Sequence, residues 1–423
     1  MAHQDSDPAT ARRRLVVLGA SARALAESSS ASGWEVHAAD LFGDLDLRAV
    51  ATAVTRVPPG GGYPAGLATA AEAFPPGPWC YTGAIENHAD LIDSIAATRP
   101  LAGTPTSAVR SVRDPAQLAA SLRAAGLHFP ETLPTPDGLP TDGSFLVKPL
   151  ASAAGRGIRP WTQAASHRGH GPSMAGHVWQ RRVVGTPHAA AFIIGRGTTR
   201  LIGLTRQLIG EPWCHAGPFG YCGSIVVPEP SIPAGIADQL ACLGALLAET
   251  HGCVGAVGVD LVIDDDGSPW VIEVNPRYTA SMEVHERSTG ESVAGAHLHA
   301  CGVAGAEPPR QRSAGRPIWA KAVLHAPRAI DVTISLVEAW RATASTWSAA
   351  DGGPPAIADI PAPGQSIPTG APLLTVFAGD HDAASALATI QRRAAHILSL
   401  CDGGLSPPSA EARSPSRPAT SIA

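Results

Sequence analysis

Short apolar runs alternate with amphipathic stretches along the first hundred residues. Residues 14–19 (RLVVLG) have the continuous apolar character of a buried strand. The small-residue loop at 19–23 (GASAR) opens a helix through about Ser30, and residues 34–39 form a second strand ending at Asp40. Further strands are expected near 53–57, 79–81 and 101–102, with helices between them. This order is that of a parallel α/β unit with Rossmann-like character, although GASAR lacks the full GxGxxG.

From there the pattern changes. Residues 113–125 have helical spacing and are bounded by Gly126 and Pro130. Residues 144–149 read as a strand followed by the loop Ala151-Ser152-Ala153-Ala154-Gly155-Arg156-Gly157, and 177–184, 189–194 and 199–204 as strands. An amphipathic helix at 234–251 stops at Gly252; strands at 255–263 and 270–275 and a helix over about 281–300 follow. Residues 307–317, rich in Pro and Arg, make a linker. Beyond it are strands near 318–325 and 373–377, a turn sequence at 363–372 of the kind found in small barrels, and a helix near 383–400. The expected organisation is an α/β domain at 14–107, a mixed α+β domain at 108–305 and a small β-rich domain at 306–402. Residues 1–13 and 403–423 read as disordered tails. No internal repeat is visible.

The sharpest chemical signal is residues 257–277 (VGVDLVIDDDGSPWVIEVNPR). Asp266-Gly267 predicts a hairpin with a two-residue type I′ turn. Such a turn places Asp260 directly across from Glu273, with Asn275 on the same face. Facing carboxylates repel unless a cation lies between them. Two acids and an amide oxygen make a hard oxygen site suited to Mg²⁺ (or Mn²⁺) with bound phosphates. Asp264, Asp265 and Asp266 fit a solvated turn; Glu273, between Ile272 and Val274, does not.

Composition narrows the field. Of 31 basic residues only Lys148 and Lys321 are lysine, so a lysine that stands where arginine is the rule marks a place for a compact ammonium. Lys148 lies in the apolar strand FLVKPL, where its charge is costly unless it meets an anion, and the Gly-rich loop follows at once. A net charge of -5 gives no bulk attraction to nucleic acid or an anionic membrane. The apolar run at 15–18 is too short for a signal peptide or a membrane span, so a cytoplasmic location is expected. Seven cysteines, an odd number with no CxxC, read as free thiols.

The hairpin with its IEVNPR ending resembles the metal-binding motif of ATP-grasp enzymes, and the resemblance extends over most of the chain. It implies a Rossmann-like pre-ATP-grasp domain, an ATP-grasp fold of two α+β subdomains, and a small β-rich C-terminal domain. The branch it resembles most holds biotin carboxylase and carboxylate–amine ligases. In that family the positions of Asp260, Glu273 and Asn275 bind magnesium ions that bridge the ATP phosphates. Lys148 matches the strand lysine that binds the α- and β-phosphates, and Ser152, Gly155 and Gly157 lie in the phosphate-covering loop. Residues 179–185 resemble the hinge that binds adenine, with Gln180, where many relatives have Glu, then Arg182 and Val183. His188 matches a position that touches ribose. The upstream phosphate-binding lysine is missing, and Arg113 stands near its place.

Arg277 matches the arginine that binds the acyl phosphate or a substrate carboxylate, as a guanidinium fork suits. Four residues later biotin carboxylase has a general-base Glu; here the residue is Ser281, with Glu283 two further on. The loop after the strand at 79–81 offers Glu86 to an amine, and Asn87 reads as a helix N-cap. The resemblance implies an ATP-dependent ligase that joins small-molecule carboxylate and amine substrates through an acyl phosphate, releasing ADP and phosphate, with a homodimer left open. A biotin-dependent carboxylase component and a nucleotide-binding regulator without turnover are the alternatives. The chain is also similar to ATP-grasp proteins of one-carbon cofactor metabolism (methanofuran or tetrahydromethanopterin), amine–glutamate ligases among them.

Overall fold

The computed structural model describes residues 13–166, 176–308, 317–351 and 353–403; most of the two expected tails and of the linker lies outside these. Strands β1 (Arg14–Leu18), β2 (Glu35–Asp40), β3 (Ala53–Arg56) and β4 (Trp79–Tyr81) form a parallel sheet in the order β3-β2-β1-β4. Leu15, Val16, Val17 and Leu18 are fully buried, as a strand covered on both faces requires. The order reverses between β1 and β4. The loops that leave these two strands therefore meet at the carboxyl end of the sheet, where such sheets take ligands. The strand expected at 101–102 is reduced to one bridge between Leu101 and Trp79.

A small antiparallel sheet follows, built from β5 (Thr132–Leu133), β6 (Asp142–Pro149), β7 (Arg159–Thr162) and β8 (His177–Arg181) in the order β5-β8-β6-β7. Its core is Phe145, Val147, Trp161 and Trp179. The strand expected at 177–184 stops at Arg181. The Arg182 amide makes the last bond to this sheet, to the Ser144 carbonyl at 2.8 Å, and Val184 stands 71% exposed.

The large sheet takes β9 (Thr186–Gly195), β10 (Thr198–Ile209), β11 (Tyr221–Val227), β12 (Gly255–Ile263), β13 (Pro269–Asn275) and β14 (Ile318–His325). While β15 (Ile330–Asp331) pairs apart with β17 (Ser366–Ile367), β16 (Ile357–Ala358) and β18 (Pro372–Asp380) complete the sheet. The order is β13-β12-β9-β10-β11-β14-β18-β16. The C-terminal strands thus do not close a barrel of their own. The free edge of β11 is satisfied by β14, Ser224 standing opposite Lys321, so the C-terminal segment extends the central sheet.

Two expected helices are broken, and a further helix, Ile334–Asp351, stands where none is expected. The helix expected at 113–125 is split: Arg113 ends one helix, Thr106–Arg113, and the next, Pro115–Ala124, starts on Asp114. The Asp114 carboxylate accepts from the amides of Ala116 and Gln117, and Pro115 fills the first turn, where its missing N–H costs nothing. The helix expected over 281–300 breaks into Met282–Thr289 and Val293–Ala300, with Ser292 capping the second.

Candidate active site

Asp260 faces Glu273 across β12 and β13, but not through the turn the sequence predicts. The hairpin turns through three residues, with Gly267 at φ +80°. Asp264 organises it, its carboxylate accepting from the amides of Asp266 and Ser268 and from the Trp270 indole. That loop sets the first pairs, Ile263 with Pro269 through Leu261 with Val271, one residue out of the predicted register. A bulge at Ile272 then restores it, so Asp260 meets Glu273 after all.

Around this pair the polar groups converge. Asp260 accepts from Gln207 at 2.8 Å and from Asn275 at 3.2 Å. Burial, with the Glu273 charge opposite, pushes Asp260 up to about 6, against the pull of Gln207. Burial opposes the Glu273 charge as well, but Arg113 and Lys148 outweigh it and hold that carboxyl below its usual range. The Glu273 side chain keeps 34% of its surface, so one edge of the pair is open. Among the described residues no group of three or more His, Cys, Asp or Glu is placed to hold a metal ion, so the hard-oxygen set here consists of two acids and the Asn275 amide.

Lys148 leaves β6 and donates to the Gln180 Oε1 at 2.9 Å; Gln180 is buried and gives its Nε2 to Thr132 at 3.2 Å. The Gln180 side chain is thus committed to Lys148 and Thr132. Burial lowers the Lys148 pKa, partly countered by Glu273 and Asp260. Beyond Lys148, the Gly-rich loop lies against the segment before β11. The Tyr221 amide donates to the Ala154 carbonyl at 3.3 Å, and a Cβ on Gly155 would sit 1.8 Å from the Phe219 oxygen, so only glycine fits this approach. Ser152 and Gly157 stand in the same loop, a Cβ on Gly157 meeting the Pro149 ring at 2.9 Å. Arg182 and Val183 lie in the segment between the two sheets. His188 follows in β9, its Nδ1 2.9 Å from the Thr186 carbonyl and its pKa lowered by burial.

Arg113, at the end of its helix, reaches Glu273 through one guanidinium nitrogen. Its other nitrogen donates to Asn87 Oδ1 at 2.8 Å and to the Leu150 carbonyl at 2.9 Å. Asn87 is therefore not a helix cap: the helix Ala89–Ala96 has His88 in that place and no side-chain cap bond. Beside it, Glu86 is buried and accepts from Nε and NH2 of Arg277 at 2.8 and 2.7 Å. Arg277 also donates to Asn275 Oδ1 at 3.1 Å. Among the described residues the other Glu86 oxygen, Oε2, is buried without a hydrogen-bond partner, as is the Tyr63 hydroxyl.

Ser281 is buried and its hydroxyl lies 3.0 Å from that of Thr279. Glu283 points the other way, into a buried ionic cluster. It pairs with Arg23, the first residue of the helix Arg23–Ala31 that follows β1, and with Lys321 of β14 at 2.8 Å. Burial opposes its charge, yet these two cations hold the carboxyl far below its usual range. Arg23 further pairs with Asp359 at 2.9 Å. Lys321 fastens the C-terminal strands to the helix after Arg277. Gln207 and the Arg23 cluster were missed from sequence. Gln207 carries a signal, a lone amide in the strand TRQLI; Arg23 shows only an ordinary i,i+4 pairing with Glu27, since the partners that bury it, Glu283 and Asp359, are 260 and 336 residues away.

Residues 112–281 match the family model of the ATP-grasp domain, and this part of the chain is an ATP-grasp domain. Comparison with curated proteins finds no match. Solved structures share the architecture across nearly the whole chain. Carboxyaminoimidazole ribonucleotide synthase from Aspergillus clavatus, complexed with ATP, is 14% identical at a TM-score of 0.67, covering 92% of this chain and 99% of that one. The L-amino acid ligase from Bacillus licheniformis is 14% identical at 0.63, covering 92% and 98%. Biotin carboxylase from Campylobacter jejuni is 13% identical at 0.64, covering 94% and 96%. At these identities the likeness establishes the fold: mixed α/β, with a parallel N-terminal sheet and antiparallel sheets after it.

Proposed function

We propose that this protein is an ATP-dependent ligase that joins a carboxylate to an amine through an acyl phosphate. The observation that carries the reading is the convergence of Asp260, Glu273 and Asn275 with Lys148, Arg113 and Arg277 at the open edge of the hairpin. The donor set fits a divalent cation: its ligands are hard oxygens, and burial together with the Glu273 charge raises Asp260, a penalty on its charged form that a bound cation would relieve. A Mg²⁺ ion there would be held by Asp260, Glu273 and Asn275 and would neutralise charge on the ATP phosphates.

The remaining roles belong to the chain's own groups. Lys148 supplies a point charge to the phosphates, and the loop at 151–157 supplies backbone N–H donors. A substrate carboxylate oxygen bonds to the γ-phosphorus as the bond to ADP breaks. The amine nitrogen then bonds to the acyl carbon, phosphate leaves, and the amine proton goes to solvent. Arg277, fixed in direction by Glu86, holds the acyl phosphate. Glu86 Oε2, buried with no hydrogen-bond partner among the described residues, is the acceptor offered to an amine that enters the site. Bicarbonate activation is disfavoured: the Ser281 hydroxyl is no general base, and Glu283 is neutralised by Arg23 and Lys321.

ADP release from magnesium ATP, screened against carboxylates and amines in pairs with Glu273→Gln as control, tests this reading. Turnover that needs both partners and is absent from the control supports it. Nucleotide binding without turnover across the panel would favour a regulator.

A further inference from the structure

Asn87 sits where the first sheet, the ATP-grasp domain and the Gly-rich loop meet. Its Nδ2 donates to the Ser152 carbonyl at 3.2 Å while its Oδ1 accepts from Arg113 at 2.8 Å. Arg113 in turn grips the Leu150 carbonyl at 2.9 Å and the Glu273 carboxylate. The near side of the loop is therefore held at residues 150 and 152 by this pair, and its far side at 154 by Tyr221. Resting on the nucleotide site assigned above, we propose that Asn87 is a positioning residue: it latches the Gly-rich loop over the ATP phosphates and sets Arg113 beside them.

The chemistry suits a latch. An amide offers a donor and an acceptor at once, so it serves the loop carbonyl and the guanidinium together; a carboxylate serves only the guanidinium. Each bond to a neutral carbonyl is modest, so the loop can still open to admit ATP and release ADP. The latch is also tied to the acyl end of the site. Glu86 and Asn87 are neighbours in the one-turn 3-10 helix Ile85–Asn87, entered through Ala84 at φ +72°. One rigid turn therefore orients Arg277 through Glu86 and the phosphate loop through Asn87.

The test is hydrogen exchange of peptides covering residues 150–157 in the full chain, with and without magnesium ADP, in the parent, Asn87→Ala and Asn87→Asp. Asn87→Asp keeps the acceptor for Arg113 and loses the donor to Ser152. The expected result is slowed exchange on ADP binding in the parent, most of it lost in both variants, with ADP affinity down about fivefold in Asn87→Asp for the one lost bond and at least as much in Asn87→Ala, which loses two. Thermal unfolding checks that each variant is folded; if Asn87→Ala is not, Asn87→Asp decides. Equal protection in the parent and the folded variants would overturn the latch while leaving the nucleotide site standing. Protection lost only in Asn87→Ala would also overturn it, assigning the effect to Arg113 alone. A parent that does not bind magnesium ADP would remove the nucleotide site and the latch together.

Discussion

Glu86 accepts two hydrogen bonds from Arg277 on a single oxygen, Oε1, and does so from a loop of the first sheet 191 residues away. The guanidinium is 12% exposed and the carboxylate 1%, so neither charge has water to fall back on. Removing one partner of a buried pair leaves the other uncompensated, at a cost of about 3–5 kcal/mol. Glu86→Ala is expected to lose stability on that scale in urea unfolding, and Glu86→Gln less, since an amide oxygen still accepts. A loss below ~1 kcal/mol for the alanine variant would mean that Arg277 finds solvent or another anion.

Lys148→Arg is expected to weaken ATP binding at least tenfold. The ammonium fits between the Gln180 amide and the field of Glu273 and Asp260, and it lies in a strand whose neighbours Val147 and Phe145 are buried. A planar guanidinium has a different shape and needs more donors satisfied. A binding titration with ATP checks this, and unchanged affinity would show that Lys148 does not contact the nucleotide.

The alternation of apolar positions made the strands legible, and with them the facing of Asp260 and Glu273. The turn was not legible, because Asp264 directs it through bonds to Ser268 and Trp270 that no turn propensity encodes. The pair survives because the bulge at Ile272 takes up the extra residue. Asn87 was open to misreading for a related reason. An Asn ahead of a helix looks like a cap, and the partners that claim its side chain lie 26 and 65 residues away. Glu283 shows the limit most clearly. Its place two residues past the carboxylase base position does not say which way it faces, and its role depends on Arg23 and Lys321, which only the assembled sheets bring together.

Acid is expected to destabilise the protein through His297. Its Nδ1 accepts from the Ala256 amide at 2.8 Å and its Nε2 lies 3.0 Å from the Ala102 carbonyl, so the ring is fixed as the neutral form between β12 and the first sheet. Burial lowers its pKa to about 4. Between the unfolded value of ~6.5 and the folded one, the unfolded chain binds the extra proton. The stability that His297 contributes is therefore complete above ~6.5 and is lost as pH falls toward 4, by roughly 3 kcal/mol in all. Urea midpoints from pH 7.5 to 4.5 measure this, and His297→Gln, which keeps a donor and an acceptor without titrating, should flatten the profile. Parallel profiles would place the acid-sensitive group elsewhere.

The last prediction concerns the products. Acyl-phosphate chemistry breaks the bond between the β- and γ-phosphates and releases ADP and phosphate; adenylate chemistry breaks the one between α and β and releases AMP and pyrophosphate. The cationic groups decide which is expected. Arg113 bonds the Asp260–Glu273–Asn275 set at Glu273, Arg277 bonds it at Asn275, and the Lys148 charge acts on Glu273, so positive charge is concentrated where, in the proposed mechanism, terminal phosphates would lie. Arg277 is bonded to Glu86, whose buried second oxygen has no hydrogen-bond partner among the described residues, and in the proposed mechanism this is where an acyl phosphate and an amine would meet. A phosphorus NMR trace with a substrate pair that turns over should show ADP and phosphate in equal amounts. Stoichiometric AMP and pyrophosphate would defeat the mechanism. Bicarbonate is not expected to replace the organic acid, because Ser281 is bonded to Thr279 and Glu283 to its two cations. Full activity with bicarbonate and biotin alone would restore the carboxylase reading.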